Sequence, residues 1–157
     1  MKIKTVICIF AMFLLANCGY EPIYSKKKLD TKYNFTIKSV EFSGENKINS
    51  NLKNNLTNYI DIENKLNQYD LKISSFKKRT ITSKNKKGNP DVYSIKTSIN
   101  VEIYENDKLL SQKIFDESFE YKNKSSKFEL NKYENSIIKN LVSKLAEQVV
   151  NYLYSIK

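Results

Sequence analysis

Tyr93, Ile95, Thr97, Ile99, Val101 and Ile103 occupy every second position of one segment, with polar residues between most of them. A period of two predicts a strand with one buried face. Leu71 and Ile73 begin a second alternating stretch within Tyr69 to Thr82, and Leu109 to Tyr121 forms a third, with Phe115, Phe119 and Tyr121 on one face. Asn34 to Phe42 carries Phe35 and Ile37 in one alternation but Val40 and Phe42 in the other. That break predicts a strand with a bulge near Lys38. Two segments follow the helical period instead. Ile48, Leu52, Leu56 and Tyr59/Ile60 recur at three and four residues within Asn46 to Leu66. Tyr133, Ile137, Leu141, Leu145, Val149 and Leu153 recur every four within Asn131 to Ile156, which gives the wider stripe.

The element order is therefore β-α-β-β-β-α. Turn chemistry separates the last strands: Gly88, Asn89 and Pro90 within Ser83 to Asp91, then Glu105 to Lys108. The first helix serves as a right-handed crossover between parallel strands, and the later strands pair as antiparallel hairpins. The expected fold is an α+β two-layer sandwich, a mixed four-stranded sheet with two helices on one face. Its other face should carry Tyr, Thr, Ser and Lys.

Before this domain the pattern changes. Lys2 and Lys4 precede an apolar run from Thr5 to Ala16. A run of about a dozen residues is too short to span some 30 Å of hydrocarbon, and it has the order of an export signal. Leu15-Ala16-Asn17-Cys18 resembles the lipobox of a bacterial lipoprotein signal, with Asn17 where Gly, Ala or Ser is usual. The resemblance implies a signal peptide over residues 1–17 and lipidation of Cys18. Cys8 would leave with the signal, so Cys18 would be the sole cysteine and could form no internal disulfide. A thioether to lipid would use a thiol that is otherwise a hazard in an oxidising compartment. Gly19 after the cysteine implies passage to the outer membrane. Residues 18–32 would be the lipidated N-terminus and a tether, ending in "SKKKLDTK", and residues 33–157 a single domain.

Charge changes the picture further. The chain has 27 Lys+Arg against 17 Asp+Glu. Without Lys2 and Lys4 the balance is 25 against 17, a net of +8. Arg79 is the only arginine. The cations cluster in two places. Lys77, Lys78, Arg79, Lys84, Lys86 and Lys87 fall in "FKKRTITSKNKKGNPD", and Lys122, Lys124 and Lys127 fall in "YKNKSSKF". Such groups suit phosphates and carboxylates. An export signal places the protein away from nucleic acid, so we expect no nucleic-acid partner.

With no His, a Ser-His-Asp or Cys-His constellation and imidazole metal ligands are excluded. The 3 glycines do not form a phosphate loop of known pattern. Asp116 and Glu117, adjacent on a strand, should point to opposite faces rather than form a dyad. We expect a binding protein rather than an enzyme, with no metal and no cofactor beyond the covalent lipid on Cys18.

Cys18-Gly19-Tyr20-Glu21-Pro22-Ile23-Tyr24 resembles the Cys-Gly-aromatic-x-Pro-aliphatic-Tyr start of the LPS-assembly lipoprotein LptE family, with Tyr20 where Phe is commoner. The β-α-β-β-β-α order and the long C-terminal helix extend the resemblance over the whole mature chain. It implies a lipid-anchored protein of the outer membrane that plugs the lumen of the β-barrel LptD. It also implies lipopolysaccharide binding by basic residues near the sheet end, here the Lys77–Lys87 hairpin and the Lys122–Lys127 loop. The alternative is another outer-membrane accessory lipoprotein, for example of the barrel-insertion machinery, without lipopolysaccharide binding.

Overall fold

The break in alternation at Lys38 is a bulge. In the computed structural model, which describes residues 33–156, strand β1 (Phe35–Gly44) runs parallel to β2 (Asn67–Lys84). Their register steps between Ile37 and Ser39, so Ile37 lies beside Tyr69, Val40 beside Leu71 and Phe42 beside Ile73. The extra residue turns both apolar sets of β1 toward the same side. The signal segment 1–17, Cys18 and the tether to residue 32 lie outside the described residues.

Helix α1 (Asn46–Leu56) buries Ile48, Leu52 and Leu56. The sequence pattern predicts a helix running on to Leu66, and the structure shortens it. The chain tightens into a 3₁₀ turn at Thr57–Tyr59, and Ile60 then leaves to form a parallel bridge with Ile37. The Asp61 amide donates to the Ile37 carbonyl at 3.1 Å, and Asp61 has a φ of 51°. Asparagine-rich sequence is a weak helix former, and here a strand-like contact with β1 outweighs a further helical turn. Tyr59 and Ile60 still pack on the core, but not as part of a helix.

Strands β2, β3 (Pro90–Glu105) and β4 (Lys108–Lys122) form an antiparallel meander, and the sheet order is β1-β2-β3-β4. The β3–β4 reversal uses Asn106 and Asp107, with φ of 50° and 64°. Both central residues are left-handed, as the turn matching strand twist requires, and Asn and Asp tolerate that region best after glycine.

Helix α2 (Lys127–Ser155) starts where Ser126 accepts a hydrogen bond from the Glu129 amide at 3.4 Å. It buries Ile137, Leu141, Leu145, Val149 and Leu153 along the stripe, joined by Ile138, Val142 and Val150. Tyr133, expected in that stripe, is left at the margin and 36% exposed. Both helices cover one face of the sheet, where Tyr69, Leu71, Ile73, Ile95, Ile99 and Ile103 are almost fully buried. Each such aliphatic side chain contributes roughly 1.5–3 kcal/mol of transfer free energy. On β4 the expected apolar face is only partly used: Phe115 and Tyr121 are buried, while Phe119 is 46% exposed. No described helix is long and apolar enough to cross a membrane.

The uncovered face is more charged than expected, with Lys72 near Glu41 at 3.6 Å and Lys96 near Asp116 at 3.2 Å. It also carries exposed apolar side chains, Phe76 and Ile114 among them.

Candidate functional site

Three chain segments meet at one end of the sheet. The β2–β3 tip is built by Asn85, whose Oδ1 accepts from the amides of Lys87 at 2.9 Å and Asn89 at 3.1 Å. Its own amide donates to the Asn89 carbonyl at 2.8 Å, and Gly88 takes the left-handed φ of 80° that closes the loop. Asn side chains that mimic backbone partners fix a tip in this way without a core beneath it. Lys84, at the end of β2, and Lys86 and Lys87 on the tip itself are thereby held exposed to solvent.

The second basic run is tied to the same place. The Asn123 amide donates to the Asp91 carbonyl at 2.7 Å, and Asn123 Nδ2 donates to the Pro90 carbonyl at 2.9 Å. These bonds bring Lys122 and Lys124 beside the start of β3, next to the tip. Lys124 Nζ sits 4.6 Å from the centre of the Tyr133 ring. Lys127 is the first residue of α2, where the helix dipole disfavours a cation, although Glu129 in the same turn offsets it.

The remaining basic residues divide between the two faces of β2. Lys77 and Arg79 point to the helix side, opposite Thr97 and Ile95. Lys77 lies 3.8 Å from Glu45. Arg79 Nη1 donates to Glu134 Oε1 at 2.9 Å, and its guanidinium stacks 4.6 Å from the centre of the Tyr93 ring. The hydrogen bond to Glu134 raises the Arg79 pKa above its ordinary value. Tyr121 donates to the same Glu134 oxygen at 2.6 Å, and its phenol is pushed far up, first by burial and then by that bond. Arg79 is thus a strut between β2 and α2 rather than a free cation.

Lys78 points to the uncovered face, directly opposite Lys96. Like charges facing each other across a pair of strands are unfavourable, and Asp116 relieves only Lys96. Among the described residues no carboxylate lies within ion-pair distance of Lys78. Lys96 is the residue the sequence pattern missed. It sits among alternating apolar positions, and only the register of β2 on β3 places it against Lys78.

Asp116 and Glu117 point to opposite faces: Asp116 meets Lys96, while Glu117 accepts from Gln148 Nε2 at 2.7 Å. The arrangement as a whole is a cationic rim of six lysines around the sheet end. It can take phosphates, carboxylates or other anions on its surface.

Several solved structures share this architecture. Rare lipoprotein B from Shewanella oneidensis superposes with a TM-score of 0.59 at 13% identity, over 75% of this chain and 95% of that one. The fold is that of these lipoproteins. A minor lipoprotein from Acinetobacter baumannii gives a TM-score of 0.54 at 16% identity, over 75% and 91% of the two chains. Lipoprotein B from Nitrosomonas europaea gives 0.58 at 9%, over 78% and 86%. Such identities establish the shared fold alone. No protein-family profile and no curated protein sequence matches the chain.

Proposed function

We propose that this chain is a lipid-anchored protein of the outer membrane that plugs an LptD-like β-barrel, helps it assemble, and binds lipopolysaccharide on its way to the outer leaflet. The observation that carries the reading is the meeting of two separate basic runs at one sheet end, on a fold shared with rare lipoprotein B, which belongs to the LptE family. Lysines on an ordered rim suit the phosphate and carboxylate groups of lipid A and core sugars. A barrel lumen is polar. A small domain with a charged sheet face and asparagine-rich helix surface is compatible with such a lumen. Lipid on Cys18 would hold it at the periplasmic side of the membrane, since each buried CH₂ of an acyl chain contributes about 0.8 kcal/mol.

The test is purification of the full chain from detergent-solubilised membranes of its own host. Recovery of a large β-barrel protein together with lipopolysaccharide is the expected result. Recovery of a barrel-insertion complex without lipopolysaccharide would favour the accessory-lipoprotein alternative. Recovering neither would sink the barrel-plug reading.

A further inference from the structure

The lane occupied by β1 in the sheet is abandoned halfway. β1 ends at Gly44, beside Ser75, where the chain turns off into α1, yet β2 continues to Lys84. From Phe76 onward β2 is paired with β3 only, among the described residues. The backbone shows which groups this leaves open. The Ser75 carbonyl accepts from the Glu45 amide at 3.3 Å, so Ser75 directs its main-chain groups toward the β1 side. Alternate residues of a strand share that direction. Pairing with β3 is unshifted from Ser75 to Ile81, so Lys77, Arg79 and Ile81 also present N–H and C=O groups to the empty lane. Those of Phe76, Lys78 and Thr80 face β3.

The entrance to the lane is open. A surface groove of about 650 Å³ lies where β1 stops, lined by Gly44, Glu45, Lys47, Ser75, Phe76 and Lys77. Beside it Phe76 is 60% exposed, and further along Ile81 is 49% exposed. Lysines on an edge strand ordinarily discourage pairing with another chain. Here they stand beside exposed apolar side chains and a groove, which a merely guarded edge does not need.

We infer that the free edge of β2, from Phe76 to Lys84, accepts an extended acidic segment of another protein as an added strand in the lane β1 vacates. Strand addition takes its affinity from main-chain hydrogen bonds and its selectivity from alternate side chains. Glu45 and Glu134 already answer Lys77 and Arg79 on the helix side. The acidic preference therefore arises at Lys78 on the uncovered face and at Lys84 near the tip, with Phe76 taking an apolar neighbour. The inference goes beyond the barrel-plug reading and does not depend on it.

The experiment titrates the full chain in detergent with a synthetic peptide of alternating Glu and Val or Thr, and with the same peptide N-methylated at alternate residues. Both have equal charge, but the second cannot form the ladder. Amide hydrogen exchange should slow about tenfold or more at Lys77, Arg79 and Ile81 with the first peptide only, leaving Lys78 and Thr80 unchanged. An Ile81→Pro variant removes a donor that faces the empty lane and leaves pairing with β3 intact. It should keep the urea midpoint and lose about tenfold in peptide affinity. Equal binding by both peptides without amide protection would overturn strand addition in favour of charge alone. Protection by lipopolysaccharide micelles but not by peptide would overturn it in favour of a lipid ligand. Protection that grows with protein concentration in the absence of peptide would overturn it in favour of a second copy. Each result stands apart from barrel co-purification, so the two proposals fail separately.

Discussion

Arg79 and Glu134 join the two layers of the protein, with Nη1 and Oε1 2.9 Å apart between the far half of β2 and the first turns of α2. Glu134 Oε1 also receives the Tyr121 hydroxyl, so one carboxylate holds two strands to the helix. The arginine is half-exposed and its ion pair is screened, whereas Glu134 retains only 13% exposure. Glu134→Ala leaves a guanidinium and a phenol without their acceptor. Urea denaturation should show a loss of about 1–2 kcal/mol. Glu134→Gln keeps a neutral acceptor and should lose less. An unchanged midpoint for both would remove Glu134 as the tie.

Gly44 marks the point where β1 gives way to α1. Its φ is 91°, and a Cβ there would fall 2.1 Å from the Ser75 carbonyl oxygen, a rigid backbone atom. Gly44→Ala combines backbone strain with a main-chain clash and should destabilise the fold by about 2–3 kcal/mol. Ser75 on the other side of the junction is buried. Its Oγ accepts from the Glu45 amide at 3.0 Å and donates to Asn49 Oδ1 at 2.7 Å. Ser75→Ala should lose about 1 kcal/mol. Thermal melts of the two variants rank the terms, and a Gly44→Ala protein as stable as the parent would contradict the close approach.

Thr97 presents the opposite case. Its side chain is fully buried on the helix side of β3, and its Oγ1 has no hydrogen-bond partner among the described residues. A buried hydroxyl without a partner is a net loss, and valine has nearly its shape. Thr97→Val should raise stability by up to about 1 kcal/mol. A fall in stability would mean that the hydroxyl finds a partner after all.

The fold was legible because the apolar periods are strong where burial is deep. The alternation from Tyr93 to Ile103 and the stripe from Ile137 to Leu153 both predict their elements and their buried faces, and even the bulge at Lys38 follows from a broken period. The length of α1 was not legible. Its end is set by Ile60 bridging Ile37, a contact between positions far apart in sequence that no local period encodes. Likewise the basic clusters were visible as strings, but their sorting was not. Arg79 and Lys78 are neighbours in sequence and lie on opposite faces of one strand, one tied to Glu134 and the other facing Lys96. Phe76 and Ile114 stay exposed because the helices cover only the other face, which depends on the crossover and not on the residues themselves.

The tyrosines give the fold an alkaline limit. Burial, and next the bond to Glu134, raise the Tyr121 phenol above its ordinary value of 10.0. Burial, and next Glu105, raise Tyr69 as well. A raised folded value means that the native state holds the proton when the unfolded chain has released it. The contribution is complete below pH 10.0 and is lost as pH rises past that point. Stability measured by urea titration should therefore fall above pH about 10, and more gently in Tyr121→Phe than in the parent. Parallel curves for the two proteins would show that Tyr121 does not set the slope.

The basic residues should separate into binding and structural classes under substitution. Lys84, Lys86 and Lys87 are exposed at a tip held by Asn85, so changing all of them to Glu should leave the unfolding free energy within about 0.5 kcal/mol of the parent's. If the rim takes lipopolysaccharide, the same variant should bind it at least about tenfold more weakly, and the parent's affinity should fall with added salt. Arg79→Gln should behave the other way round. It removes the strut to Glu134 and the stacking on Tyr93, so stability falls by about 1 kcal/mol while the rim lysines remain. Binding assays on immobilised lipopolysaccharide, run beside denaturation curves, measure both quantities on each protein. A tip variant with unchanged affinity would move the ligand away from the sheet end. An Arg79→Gln protein of full stability but lost affinity would turn the strut into a ligand contact.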